Sequence, residues 1–238
     1  MFSAQYWYMG VISTLVIALE VFAAMALARH KWIARIVLWI LAIFMLAYET
    51  QRSIRNHLMP IAFSTFTYYL FGLAALLPIR PLKSAAAFCC FLTGAIYLSG
   101  FVVYPDFLYA RQPDEAGRLI GWFLHNVMLF GGLVLYGQYR VKKLDIIYVS
   151  IFVAFFVAVT EIAVHVYNTN AANTLFVGII EATLIQQVAP EFPITVWWCF
   201  VWYVFVVGAF AGAYIGTYFL NRKLYPISPD EKAKLIVV

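Results

Sequence analysis

One histidine, His125, lies inside an apolar run of membrane-spanning length. Leu119 to Gly137 contains no formally charged residue, and at ~1.5 Å per residue such a segment crosses the hydrocarbon of a bilayer as a helix. Burying an ionisable group among lipid tails is costly unless the group faces partners, water or a substrate. The sequence therefore predicts a functional role for His125, in proton transfer or in orienting a ligand.

Other polar residues fall at a similar depth in the predicted spans. Counted from the same membrane face as His125 (~9 Å), Ser64 lies ~8 Å deep, Glu161 ~10 Å and His165 ~5 Å. Glu161 and His165 are four residues apart, which stacks them on one face of a helix. These four residues come from three helices and predict a polar site in the outer leaflet.

Arg52 and Arg55 lie just above this site and are candidate substrate-binding residues together with Glu161 and His165. Simpler interpretations stay open for the others. A serine such as Ser64 in a membrane helix commonly bonds the carbonyl one turn before it. Glu161 and His165 also suit a buried polar pair with no further role.

The composition sets the class of protein in which this site must lie. The chain has 238 residues, of which 65% are hydrophobic and 11% charged, and its mean hydropathy is +0.87. Soluble domains average roughly 45–50% apolar and 25% charged residues. We therefore expect an all-α membrane protein in which residues 1–238 form one polytopic domain. Short loops leave no basic surface for nucleic acid, and no metal or cofactor motif is present.

Seven spans account for most of the length. The second is the weakest, because its uncharged core is about a turn short of the ~20 residues usually needed. The predicted spans are Tyr6–Leu27, Ile33–Tyr48, Met59–Pro78, Ser84–Tyr104, Leu119–Gly137, Leu144–Tyr167 and Ile194–Leu220.

The basic residues predict the orientation of these spans. Of the 16 Lys and Arg residues, twelve fall on one side of the membrane and four on the other. Cytoplasmic loops carry such an excess of basic residues. We therefore expect a protein of the plasma membrane with its N-terminus outside the cell and its C-terminus in the cytoplasm. The twelve are Arg29, Lys31, Arg35, Arg80, Lys83, Arg140, Lys142, Lys143, Arg222, Lys223, Lys232 and Lys234, and the four are Arg52, Arg55, Arg111 and Arg118.

Two further segments predict contacts at the edge of the bundle. The outer connection 168–193 contains an apolar stretch interrupted by Glu181, which favours an interfacial or re-entrant helix. Gly208, Gly212 and Gly216 recur every four residues in the last span. Such a ridge lets helices approach closely, either inside the bundle or between copies or partners. Cys89, Cys90 and Cys199 lie within spans, and we assign them no role.

Three stretches, in this order, resemble the YwaF-like integral membrane proteins, a family that includes eukaryotic transmembrane protein 164. They are MPIAFSTFTYYLFGLAALL in the third span, FLTGAIYLSGFVVYPDF in the fourth, and WFLHNVMLFGGLVLYGQYRVKKLDII in the fifth. The resemblance covers most of the chain.

The resemblance implies an acyl-group site that uses a cysteine and a histidine on lipid substrates. The family pattern Leu-Pro-Leu-His-Leu-Cys corresponds to Met59–Ser64, so that Ala62 replaces its histidine and Ser64 replaces its nucleophilic cysteine. The histidine of the fifth helix is retained as His125. Ser64 is then a candidate catalytic nucleophile and His125 its base, since a serine hydroxyl needs an adjacent base.

Three functions follow as alternatives. The first is a lipid acyltransferase or hydrolase with Ser64 and His125 as catalytic residues. The second is a non-catalytic site for a lipid or another small molecule, in which the same residues orient the ligand. The third is a structural subunit of a homo-oligomer or membrane complex, with the Gly208, Gly212 and Gly216 ridge as a contact.

Overall fold

The computed structural model describes residues 6–56, 63–105, 115–139, 141–167 and 196–226. These residues form α-helices joined by short connections, and no strand occurs among them. The helices are α1 (Trp7–Ala28), α2 (Lys31–Asn56), α3 (Phe63–Leu76), α4 (Arg80–Val103), α5 (Glu115–Gln138), α6 (Asp145–Tyr167) and α7 (Val196–Leu224).

Each predicted span overlaps one of these helices, which confirms an all-α bundle. The weakest predicted span is the most changed, because α2 has 26 residues and continues well past Tyr48. Within this extension, Arg52 forms an ion pair with Glu49, which lies one helical turn earlier. Residues 59–62 of the third predicted span and the connection 168–193 lie outside the described residues.

Successive helices run in opposite directions. Gly10 at the start of α1 lies against Phe101 near the end of α4, and the end of α1 meets Gly137 at the end of α5. We call the end of the bundle where α1, α3 and α5 begin the upper end, and the end where they finish the lower end. His125 then lies in the upper half.

The surface of the bundle is that of a membrane protein. Four described helices are long and apolar enough to cross a bilayer, namely α1, α2, α4 and α5. Large apolar side chains cover the outside, with Leu19 67% exposed, Phe22 71% and Trp32 73%. Soluble proteins rarely expose apolar surface on this scale, whereas lipid tails solvate it without cost.

Helices α4 and α5 approach each other closely enough for their backbones to touch. A Cβ on Gly94 would lie 2.6 Å from the Leu129 nitrogen and 2.8 Å from the His125 carbonyl oxygen, and a Cβ on Gly132 would lie 2.7 Å from the Phe91 nitrogen. Both glycines therefore let two backbones touch. Ala86, Cys90 and Gly94 are four residues apart, which is the small-residue pattern of membrane helix pairs.

Charged and polar side chains tie the lower end together. The Arg80 guanidinium at the start of α4 donates to Asp145 at the start of α6, with Nη2 2.9 Å from Oδ2. The same Oδ2 accepts the backbone N–H of Lys142 at 2.8 Å, as a helix-capping carboxylate does. Tyr214 of α7 donates to the Lys142 carbonyl at 2.8 Å. The side chains of Asp145 and Tyr214 therefore bond the turn between α5 and α6 directly, and Arg80 holds Asp145 in place.

We expect Asp145→Ala to destabilise the protein by on the order of 2 kcal/mol, because it removes a buried carboxylate that serves both as a cap and as an ion-pair partner. Arg80→Ala is expected to cost at least as much, because it leaves the Asp145 carboxylate, whose side chain is only 3% exposed, without its cation. Unfolding in mixed micelles with increasing sodium dodecyl sulfate measures both. An equal loss for the exposed Lys143→Ala control would contradict this account.

Candidate functional site

The ring of His125 is held on two sides. It stacks on Tyr97 of α4, with ring centroids 3.6 Å apart and planes inclined by 11°. Its Nδ1 lies 2.7 Å from the carbonyl oxygen of Gly121, one turn earlier on α5. A carbonyl oxygen only accepts, so Nδ1 carries the hydrogen and Nε2 of the neutral ring keeps its lone pair. The geometry makes Nε2 the basic atom of the site.

Tyr97 connects His125 to polar side chains on α2 and α3. The Tyr68 phenol lies within electrostatic range of both Tyr97 and Glu49, and the side chains of Tyr68 and Glu49 are each 2% exposed. The buried Thr65 of α3 lies near the Glu49 carboxyl. We call Glu49, Thr65, Tyr68, Tyr97 and His125 the His125 cluster.

Arg52 links the His125 cluster to its surroundings. Its Nη1 donates to Glu49 Oε2 at 3.2 Å, and its side chain is 39% exposed. A carboxylate as buried as that of Glu49 is costly without such partners. Arg52 therefore neutralises the buried carboxylate while leaving part of its guanidinium available to an anionic group.

Ser64 lies on the face of α3 that meets α5. Phe71 packs its ring against Gly131, where an added Cβ would lie 2.7 Å away, and Ser64 precedes Phe71 by seven residues, or two turns on the same face. His125 precedes Gly131 by six residues, which places it about 120° round α5 from Gly131, where its ring stacks on Tyr97 of α4. Because α3 and α5 run in the same direction, Ser64 and His125 come to nearly the same level of two helices in contact.

The two predicted residues of α6 lie further toward the upper end. Phe63 and Phe66 of α3 pack against Phe156, with ring centroids 5.3 and 5.1 Å apart. Glu161 follows Phe156 by five residues, so its backbone lies ~8 Å further along α6, and that of His165 another ~6 Å. The four predicted residues therefore do not share one level. The side chains of Glu161 and His165 lie outside the described residues.

The two predicted arginines have different surroundings. Arg52 belongs with Glu49, as above. Arg55 is exposed and lines an open groove of about 670 Å³ with Leu46, Thr50 and Ile54. Arg52 contacts the buried polar residues through its ion pair with Glu49. Arg55, in contrast, lies on the outer surface of α2.

Sequence reasoning missed four members of the His125 cluster. It gave no role to Glu49, whose side chain is buried, or to Thr65, Tyr68 and Tyr97. Two signals were available. Glu49 and Arg52 have the spacing of a helical ion pair, and a tyrosine in the middle of a span needs a partner for its hydroxyl.

A second line of polar contacts orients α5 from the side of α1. Trp122 Nε1 donates to the buried Ser13 hydroxyl at 2.9 Å, and Asn126 Nδ2 donates to the Trp122 carbonyl at 2.8 Å. Asn126 adjoins His125 in sequence. The Asn126 bond lies within α5, so the link to α1 is the Trp122–Ser13 bond. That bond restrains the rotation of α5, on which His125 stacks against Tyr97 of α4.

No group of three His, Cys, Asp or Glu side chains in the described part of the chain lies close enough to hold a metal ion. Cys89 and Cys90 are unpaired and fully buried in the core. The arrangement suits proton transfer and recognition of a polar group beside lipid.

The fold and the surface define an all-α membrane protein with a buried polar cluster in the upper half of its bundle. Comparison of the chain with protein-family models, with curated proteins and with solved structures gives no match. The similarity to the YwaF-like proteins stays a prediction from the residues quoted for it.

Proposed function

We propose that the chain is a seven-span protein of the plasma membrane that acts on the acyl groups of membrane lipids, as a YwaF-like acyltransferase or hydrolase. Ser64 is the nucleophile and His125 the general base. Arg52 binds the polar part of the lipid, and Glu161 and His165 complete the upper side of the site. The single observation that carries the proposal is the His125 ring, whose Nδ1 bond to Gly121 leaves Nε2 as the base.

The chemistry proceeds by two acyl transfers. His125 Nε2 takes the Ser64 hydroxyl proton as Oγ attacks the ester carbonyl carbon of the lipid. The ester C–O bond breaks, and the leaving alcohol receives that proton from His125. Water or an acceptor alcohol then attacks the acyl-serine and gives its proton to His125. The acyl group leaves Ser64 as a fatty acid or a new ester, and the residues return to their starting state.

A second candidate is a binding site without catalysis. The observation that favours it is the mutual satisfaction of Glu49, Arg52 and Thr65, which builds a rigid polar site without requiring Ser64 to react. In that case Tyr97 and His125 supply a flat surface and a hydrogen-bonding edge for a lipid headgroup or another small molecule.

Mass spectrometry of the purified protein separates these functions. We expect an acyl adduct on the peptide that contains Ser64 after incubation with phospholipid vesicles, and its absence in Ser64→Ala. A ligand that copurifies at one per chain without any adduct selects the binding function. If the protein carries neither an acyl adduct nor a ligand, a structural subunit is favoured.

The proposed topology has its own test, in a background with the three native cysteines replaced by alanine. We expect Gln112→Cys to react with a membrane-impermeant maleimide added to intact cells, and Lys143→Cys to react only after the cells are opened, because the basic residues predict that Lys143 faces the cytoplasm. The reverse pattern would place the site in the inner leaflet.

The glycine ridge of α7 is the proposed contact with a second copy or a partner. No described atom lies within 4 Å of a Cβ built on Gly208, Gly212 or Gly216, so the ridge is not used inside the described bundle. We expect Gly212→Leu to leave folding intact but to reduce energy transfer between labelled copies in nanodiscs about tenfold. Ala213→Leu, which crowds the core, is expected to impair folding instead. Unchanged energy transfer would show that the ridge faces lipid.

A further inference from the structure

A polar cavity lies at the lower end of the bundle, away from the His125 cluster. Its volume is about 450 Å³. It forms where the ends of α1, α5 and α7 meet the start of α2. Its walls include Gly137, Asn221 and Tyr225, together with the apolar Met25 and Leu224.

Three cations, Arg29, Lys31 and Lys223, line this cavity, and its lining contains no Asp or Glu. The ends of α1, α5 and α7 each contribute roughly half a negative charge, and the start of α2 roughly half a positive one. The three full charges outweigh these dipole ends. The cavity is therefore positive overall.

The polar groups deeper in the cavity bring no negative charge. Burial raises the pKa of Tyr225, so the phenol stays protonated and donates to the Leu133 carbonyl at 2.8 Å. Asn221 donates to the Tyr136 carbonyl and accepts the Val141 N–H. Gln138 also lines the cavity, but its amide nitrogen is buried and has no hydrogen-bond partner among the described residues.

We propose that this cavity binds the phosphate of an anionic lipid headgroup. Three cations around one cavity suit phosphate oxygens, and Met25 and Leu224 offer apolar contact to the glycerol and upper acyl carbons. The site lies at the end of the bundle that the basic residues predict to be cytoplasmic, where anionic lipids concentrate. It is independent of the proposed acyl chemistry.

The test uses the full chain in nanodiscs of neutral lipid, with phosphatidic acid as the probe and native mass spectrometry as the readout. A charge-assisted hydrogen bond to a phosphate oxygen contributes roughly tenfold, so the triple variant Arg29→Gln, Lys31→Gln, Lys223→Gln is expected to bind at least ~100-fold more weakly. The matched control is Arg35→Gln, Lys142→Gln, Lys143→Gln, which removes the same charge from exposed side chains of the same end. It is expected to bind like the wild type.

The source of the phosphate is tested by competition with inorganic phosphate at millimolar concentration. Retention of phosphatidic acid supports the lipid, and displacement that requires Arg29, Lys31 and Lys223 assigns the cavity to a soluble phosphate instead. Equal losses in both triple variants, or no loss in either, would overturn the cavity as a site. Acyl-adduct formation at Ser64 is measured in the same samples and is expected to be unchanged, so the two proposals fail separately.

Discussion

Replacing His125 with alanine is expected to reduce the labelling of Ser64 by an alkyl fluorophosphonate at least ~100-fold, because a positioned general base contributes 10²–10⁴ to such a reaction. Ser64→Ala should remove the label entirely. A nucleophile and its base act as one unit, so the double variant should be no worse than Ser64→Ala. The measurement is the amount of modified Ser64 peptide over time.

The matched control is His30→Ala. His30 is the exposed histidine between α1 and α2 at the lower end, so its loss should leave labelling unchanged. A thermal melt in detergent must show that His125→Ala is folded, since Gly121 and Tyr97 lose a contact. If Ser64 is labelled equally fast in the wild type and in folded His125→Ala, the catalytic proposal is wrong and the binding function remains.

Substituting Ser64 with the cysteine of the resembled family tests the same pair directly. The three native cysteines are first replaced by alanine. With His125 at hand, the new thiol forms a thiolate–imidazolium pair and should react with iodoacetamide at least tenfold faster than Ser99→Cys, an exposed reference position. His125→Ala should abolish the difference. If the Ser64→Cys thiol reacts no faster than the Ser99→Cys thiol, both with His125 and with His125→Ala, the side chains at positions 64 and 125 do not meet.

Adding one methyl group at Gly94 is expected to destabilise the bundle by about 1–3 kcal/mol, the usual cost of overpacking. The new Cβ would lie 2.6 Å from the Leu129 nitrogen and 2.8 Å from the His125 carbonyl oxygen. Backbone atoms cannot rotate away, so α4 must move from α5. That movement also separates Tyr97 from the ring of His125, and we expect Ser64 labelling to fall together with stability.

Gly212→Ala is the matched control for Gly94→Ala. Both changes add the same methyl group in a helix, where alanine is intrinsically favoured over glycine by roughly 1 kcal/mol. Because no described atom lies within 4 Å of the new Cβ at Gly212, this variant should be as stable as the wild type or slightly more stable. Unfolding in mixed micelles compares the two, and equal stability would show that α4 and α5 tolerate separation.

The sequence by itself determined the class of protein and the existence of the helices. Length and uncharged apolar runs are local properties, and a bilayer requires each such run to satisfy its backbone as a helix. The seven predicted spans therefore each overlap an observed helix, and His125 lies within α5 as expected. The predicted orientation rests on the same kind of local count, that of basic residues in loops, and it stays a prediction.

Only the tertiary structure decided which faces of these helices meet. Gly94 and Gly212 carry the same small-residue spacing in the sequence, yet Gly94 touches a backbone and Gly212 touches no described atom. Glu49 follows directly after the second predicted span, yet its side chain is buried beside Arg52 and Tyr68. Spacing along one helix defines a face but not its partner.

The candidate site divides in the same way. Residue type and depth were enough to single out His125, because an ionisable group in lipid must have a partner. Its partner Tyr97 lies 28 positions earlier on another helix, and the stacking of the two rings depends on the rotation and approach of α4 and α5. Those are set by the glycine contacts and by the Trp122–Ser13 bond, whose partners are 109 residues apart in the chain.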